Sequence, residues 1–185
     1  MTTTDVCRPR LRRAPALLAV LALASGASAP PLSASAAGEY SLKAAFLYQF
    51  TKYVAWPAAP SGPVDICVLG DDPFGTALDD TLAGKKAKGQ PVVALRIDTI
   101  GPRTSCRILF VSRSEQPRLE QTLAALGDRP TLTVADMAGF PQRGGMINLK
   151  VEGGRIKLEV NPDNAARVGL KIRSELLRLA DVVRN

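Results

Sequence analysis

The sequence predicts an α/β fold: a single three-layer domain with a mostly parallel sheet, a C-terminal antiparallel β-hairpin and flanking helices. Three observations carry this. Short apolar runs alternate with helical patterns over residues 41–135, the order that builds parallel sheets. The first of those runs, residues 64–69, does not alternate polar with apolar, as expected of a strand covered on both faces. Residues 146–160 then change to a period of two around Gly153-Gly154, the pattern of a hairpin.

Residues 1–37 read as an export signal, leaving 38–185 as the domain. Arg8, Arg10, Arg12 and Arg13 precede an apolar run of eleven residues, Ala14 to Ala24. Small residues follow, with Ala34-Ser35-Ala36 as a cleavage pattern. The run is too short to span a bilayer, which takes about 20 residues. Pro30 disfavours a cut after Ala29, which places the cut near Ala36 or Ala37. Cys7 lies before the apolar run, so it is not a lipidated first residue of the mature chain.

The elements follow in order. Residues 41–55 have helical composition, with Ser41 suited to cap the start. The apolar residues of this helix cover most of its circumference, so it is expected to be buried or to lie in an interface, possible in a homodimer. Trp56-Pro57 ends it. After the strand at 64–69 comes Gly70-Asp71-Asp72-Pro73-Phe74-Gly75. Asp72 suits a cap and Pro73 a first helical position, so a helix is expected over 73–82. Strands are expected at 92–97, 108–111 and 132–135. A helix over 115–126 would turn Leu119, Leu123 and Leu126 inward. In the hairpin, Ile147, Leu149 and Val151 oppose Asn148 and Lys150. This gives one wet face carrying Asn148 and places the hairpin at a sheet edge. Asn161-Pro162 opens a helical C-terminal region, with Leu176, Leu177 and Ala180 inward and Arg173 and Arg178 toward solvent.

Composition excludes several chemistries. The 185 residues carry 46% hydrophobic and 22% charged side chains and no histidine. There is therefore no Ser-His or Cys-His pair and no imidazole ligand for a metal. No catalytic group, metal site or cofactor is expected, and the chain does not read as an enzyme. The formal charge is +7, falling to +4 once the leader with its four arginines and Asp5 is removed. Lys85, Lys86 and Lys88 are the nearest approach to a basic stripe, and nucleic acid is not expected as a partner. Export leaves Cys67 and Cys106. In an oxidising compartment these two read as a disulfide, with two buried thiols as the alternative.

The strongest local candidate for binding is the loop Gly70, Asp71, Asp72, Phe74 and Gly75. It follows a parallel strand, where ligands of open sheets bind. It matches neither a dinucleotide fingerprint nor a P-loop. Its other reading is helix capping alone. Asn148 and Asn161 are either local hydrogen-bonders or crevice-lining groups. The five aromatics Phe46, Tyr48, Phe50, Tyr53 and Trp56 concentrate burial or binding within eleven residues.

Several segments, read together, resemble a known family. Residues 41–57 (SLKAAFLYQFTKYVAWP), 67–75 (CVLGDDPFG), 144–149 (GGMINL) and 172–180 (IRSELLRLA) are similar in content and order to the blocks of the YfiR family of periplasmic proteins. Asn161 falls between the last two blocks. The resemblance implies a soluble periplasmic repressor that binds the periplasmic domain of an inner-membrane diguanylate cyclase, lowering cyclic-di-GMP and biofilm formation. A sensor kinase is the other membrane partner implied. An outer-membrane lipoprotein of the YfiB type would sequester it. The resemblance also implies the Cys67–Cys106 bond. Some members carry a second cysteine pair near the hairpin, which this chain lacks. A periplasmic small-ligand sensor without a cyclase partner is the alternative role.

Overall fold

The structure is a computed structural model that describes Met1, Thr2 and residues 32–184, and the architecture below belongs to the compact unit 31–185. The basic and apolar parts of the expected leader lie outside the described residues.

The chain opens with α1 (Leu32–Tyr53), followed by β1 (Val54–Ala55), β2 (Val64–Leu69), α2 (Ala77–Leu82), β3 (Lys86–Ala87), β4 (Gln90–Ile97) and β5 (Ile108–Val111). A 3-10 turn over Arg113–Arg118 leads into α3 (Leu119–Leu126), then β6 (Leu132–Ala135), β7 (Ile147–Glu152), β8 (Arg155–Val160) and α4 (Pro162–Arg167). The end of the chain forms β9 (Lys171–Ile172), α5 (Ser174–Leu177) and β10 (Ala180–Val182).

Among the described residues, eight strands form one sheet in the order β10-β8-β7-β6-β5-β2-β4-β3. Strands β4, β2, β5, β6 and β7 run parallel. The hairpin β7–β8 is antiparallel through six residue pairs, and β3 pairs antiparallel to β4. The remaining strands, β1 and β9, form a separate antiparallel pair.

Two cores make this a three-layer domain. On one face Ala44, Leu47 and Phe50 of α1 and Leu78 and Leu82 of α2 pack on Ile66, Val68, Ile108, Phe110 and Val134. On the other, Leu119 and Leu126 of α3 pack on Cys67, Leu69, Leu109 and Val111. The alternation of β2 thus divides Ile66 and Val68 from Cys67 and Leu69, and this is why the strand is apolar on both sides. The disulfide Cys67–Cys106 joins β2 to the segment before β5, on the α3 face, with Cα atoms 5.9 Å apart.

Six expected features differ. The first helix begins at Leu32, so Ser41 is an interior residue, not its cap, and Val54–Ala55 leave the helix to pair with β9. Leu42 and Tyr53 are exposed, and the buried face instead includes Lys43. The helix expected over 73–82 starts only at Ala77, because Asp72 and Pro73 form a turn of their own. The helix expected over 115–126 is a 3-10 turn containing Pro117 up to Arg118 and is α-helical only from Leu119. The hairpin is not at the sheet edge, because β10 adds alongside β8. This strand also replaces part of the expected helical ending, leaving α4 and α5 as two short helices.

Candidate functional site

The parallel strands diverge between β2 and β5. The chain leaves β2 for β4 on one side and returns to β5 on the other, so the crevice beyond their carboxyl ends is the place where such sheets bind ligands. Gly70 to Gly75 form one wall, and Ser112 to Glu115, following β5, form the other.

The two walls are stitched together. The Ser112 amide donates to the Leu69 carbonyl at 3.1 Å, and its hydroxyl donates to the Asp71 carbonyl. The Asp71 amide donates to Ser114 Oγ at 3.0 Å. Gly70 has a φ of +83°, and a Cβ there would lie 2.5 Å from Ser114 Oγ, so only glycine fits both the backbone and the contact. Serine hydroxyls thus occupy the crevice mouth. On the α3 side, buried Glu115 is held by both arms of Arg118 at 2.7 Å.

On the α1 side the loop faces outward in a fixed shape. Asp72 Oδ1 accepts from the Phe74 amide at 2.8 Å, closing a local turn. Its Oδ2 accepts from Arg96 Nε at 2.9 Å. The same guanidinium donates to both oxygens of Asp79 and to the Gly75 carbonyl. The Arg96 bonds are the main cause that holds the Asp79 carboxyl below its ordinary range, against a smaller opposing effect of burial. Phe74 is buried edge-on against Phe110, with ring centres 4.7 Å apart, and against Tyr40 at 5.4 Å. Beside the loop runs an open groove of about 850 Å³, lined by Tyr40, Ser41, Phe74, Thr76, Asp80 and Thr81 among others. Its lining mixes Tyr40, Phe74 and other apolar groups with hydroxyls and carboxylates.

Below the rim lies a buried ionic cluster that the sequence reading missed. Asp136, directly after β6, accepts from Lys43 Nζ at 2.5 Å and from the Tyr40 hydroxyl at 2.8 Å, and Arg113 Nε lies 3.2 Å from its other oxygen. Glu39 contacts Lys43 as well. Lys43 is fully buried. Burial first, and then the bond to Asp136, raises the Tyr40 pKa above its ordinary value. The cluster fastens the start of the core-facing part of α1 to the carboxyl end of the sheet. The signal was present in the sequence: Lys43, Leu47 and Phe50 share a helical face, and Asp136 directly follows a buried strand.

The remaining candidates lie elsewhere. Asn148 is 2% exposed rather than on a wet face: it is in register with Ala135, whose side of the sheet carries the α3 layer, and its amide donates to Glu159 at 2.8 Å. Asn161 is buried and caps α4 by accepting from the Asp163 and Asn164 amides, and it donates to the Pro141 carbonyl. This is the local role. Arg173 is exposed, and its amide donates to the Tyr53 carbonyl beside the β1–β9 pair. Gly70, Asp71, Asp72, Phe74 and Gly75 therefore form one place, and Asn148, Asn161 and Arg173 are not part of it. Among the described residues, no cluster of three or more Cys, Asp or Glu is placed to hold a metal ion.

A family model described as YfiR/HmsC-like matches residues 40–181. The fold is similar to a crystal structure of a conserved domain protein from Vibrio cholerae, with a TM-score of 0.54 and 12% identity over 79% of this chain. A second likeness, to a Streptococcus pneumoniae domain titled as an ABC domain in complex with L-Trp, has a TM-score of 0.49 and 10% identity over 65% of this chain. The chain spans 60% and 55% of the lengths of these two structures.

Proposed function

The chain belongs to the YfiR/HmsC-like family of periplasmic regulators of cyclic-di-GMP signalling, and from that premise we propose that it represses an inner-membrane diguanylate cyclase by binding its periplasmic domain. The observation that carries the proposal is the fixed loop Gly70 to Gly75 beside the open groove. Arg96 and Ser114 hold the loop in place, so little ordering is needed when a partner binds. Aromatic and apolar groups set among polar ones are the composition of a protein–protein contact. A regulator of this kind transmits a signal by binding two partner states unequally. A sensor kinase with a comparable periplasmic domain is the second partner class. Sequestration by an outer-membrane lipoprotein of the YfiB type would lift the repression. The small-ligand reading is less well supported, because the crevice mouth is filled by Ser112 and Ser114.

The test is cellular cyclic-di-GMP in wild type, a deletion strain, and deletion strains complemented with the chain or with Asp80→Arg. Asp80 is exposed on the groove rim and outside the Arg96 network. Deletion is expected to raise cyclic-di-GMP, the wild-type chain to restore it, and Asp80→Arg to leave it high while folding normally. An unchanged level on deletion would remove the cyclase from the account. Full restoration by Asp80→Arg would move the contact off the groove.

A further inference from the structure

At the opposite end of the sheet the fold brings Lys52 of α1 beside the lysine run 85–88. Lys52 of α1 lies over the Tyr48 ring at 4.6 Å, and Lys85 lies over the same ring at 6.0 Å. The Tyr48 hydroxyl donates to the Lys86 carbonyl at 3.2 Å, tying the helix to the β3 edge. Lys88 lines the adjoining surface with Thr51 and Trp56. All four lysines are exposed, and none forms an ion pair with a carboxylate among the described residues. Lys43, Lys150 and Lys157 do form such pairs, and Lys171 of β9 is exposed and forms none. Two of the unpaired charges, Lys52 and Lys85, lie over one aromatic ring, and Lys86 and Lys88 stand on the adjoining β3 edge.

We propose that this patch docks the protein on an anionic phospholipid surface. The residue type favours a membrane over an acidic polypeptide. Lysine ammonium groups on flexible stems act as point charges suited to a diffuse anionic layer, and lack the rigid fork with which arginine grips one carboxylate or phosphate at a fixed position. The nearby arginine, Arg107, is already committed to the Ala58 carbonyl at 3.0 Å and to the face of Trp56. Tyrosine beside lysine is the pairing found at the level of lipid headgroups. The patch surrounds the amino ends of the strands, so docking there leaves the groove beside Phe74, at their carboxyl ends, turned away from the lipid and open to a partner's extramembrane domain. The proposal does not depend on which protein that partner is.

The experiment is vesicle co-sedimentation of the protein purified from a periplasmic extract. The vesicles are phosphatidylcholine alone or phosphatidylcholine with phosphatidylglycerol. Binding is expected only with phosphatidylglycerol and is expected to weaken as salt rises. Each lysine contributes about fivefold to the partition coefficient. The variant Lys52→Gln/Lys85→Gln/Lys86→Gln/Lys88→Gln should therefore lose binding by more than a hundredfold while melting like the wild type. The corresponding fourfold Arg variant should retain it. Equal binding to both vesicle types, or wild-type binding by the Gln variant, would overturn the proposal. So would capture by immobilised polyglutamate without vesicle binding, which would assign the patch to an acidic polypeptide.

Discussion

Lys43 Nζ lies 2.5 Å from Asp136 Oδ2, and both side chains are shut off from solvent. The pair joins the first helix to the carboxyl end of β6. Its partners are unequal. Asp136 keeps Tyr40 and Arg113 if the lysine is lost, whereas losing the aspartate leaves Lys43 with the more exposed Glu39 and the face of the Tyr40 ring and strips Tyr40 and Arg113 of their bonds as well. Breaking a buried pair costs about 3–5 kcal/mol because an uncompensated charge remains. Asp136→Ala is therefore expected to destabilise more than Lys43→Met. The double replacement Lys43→Met/Asp136→Leu should recover much of the loss. Urea unfolding of the three variants checks the order, and equal losses in both single variants would refute the asymmetry.

Tyr40 reports on the same cluster through pH. Its pKa is raised, first by burial and then by the bond it donates to Asp136. A raised folded value means that the neutral phenol's contribution is complete below the unfolded value of about 10. That contribution is lost as pH climbs through the folded value. Tyrosinate absorbance should show a late component in the wild type that is missing in Tyr40→Phe. The variant should also lose less stability than the wild type at strongly alkaline pH. An identical titration in the two proteins would detach Tyr40 from the cluster.

The sequence was informative wherever local pattern and packing agree. Residues 64–69, 108–111 and 132–135 are strands with the expected bounds because they are short, apolar and buried on both faces. Two-residue strands such as β1 and β9 have no pattern to read, and exist because the end of α1 meets the chain near Arg173. Asn148 alternates as a wet-face residue should, yet neighbouring strands and the α3-side layer bury it. Periodicity cannot register a covering layer that arrives from elsewhere in the chain. The strand-end loop was legible from Gly70 to Gly75. Its locks, Arg96 and Ser114, were not, since they lie 24 and 43 residues from their partners.

The lock at Arg96 should respond to acid. Its bonds hold the Asp79 carboxyl below the ordinary range. With a depressed folded value, the stabilisation is present above the unfolded value of about 4 and is lost as pH falls through the folded value. Asp79 is half exposed, so the gain is modest, about 0.5 kcal/mol. Asp79→Asn should be less stable than the wild type at neutral pH, and the two should converge in strong acid. A constant gap across the whole range would locate the loss in packing instead of ionisation.

The Cys67–Cys106 bond closes a loop with a sequence separation of 39 between a central strand and the segment leading into its neighbour. Constraining the unfolded chain over that length stabilises the fold by about 4 kcal/mol in the chain-entropy model. Cys67 is fully buried and Cys106 nearly so, which keeps reductant away from the folded protein. The bond also lies beneath Leu69 and Leu109, in the layer that supports the end of β2 and hence the loop at Gly70. Cys67→Ser/Cys106→Ser is therefore expected to melt well below the wild type and to become protease-sensitive. Reductant should lower the melting temperature of the wild type toward that of the variant and leave the variant unchanged. In the deletion strain this variant should restore cyclic-di-GMP poorly, in proportion to its reduced level on an immunoblot. A variant that melts like the wild type would show that the bond adds nothing to the fold.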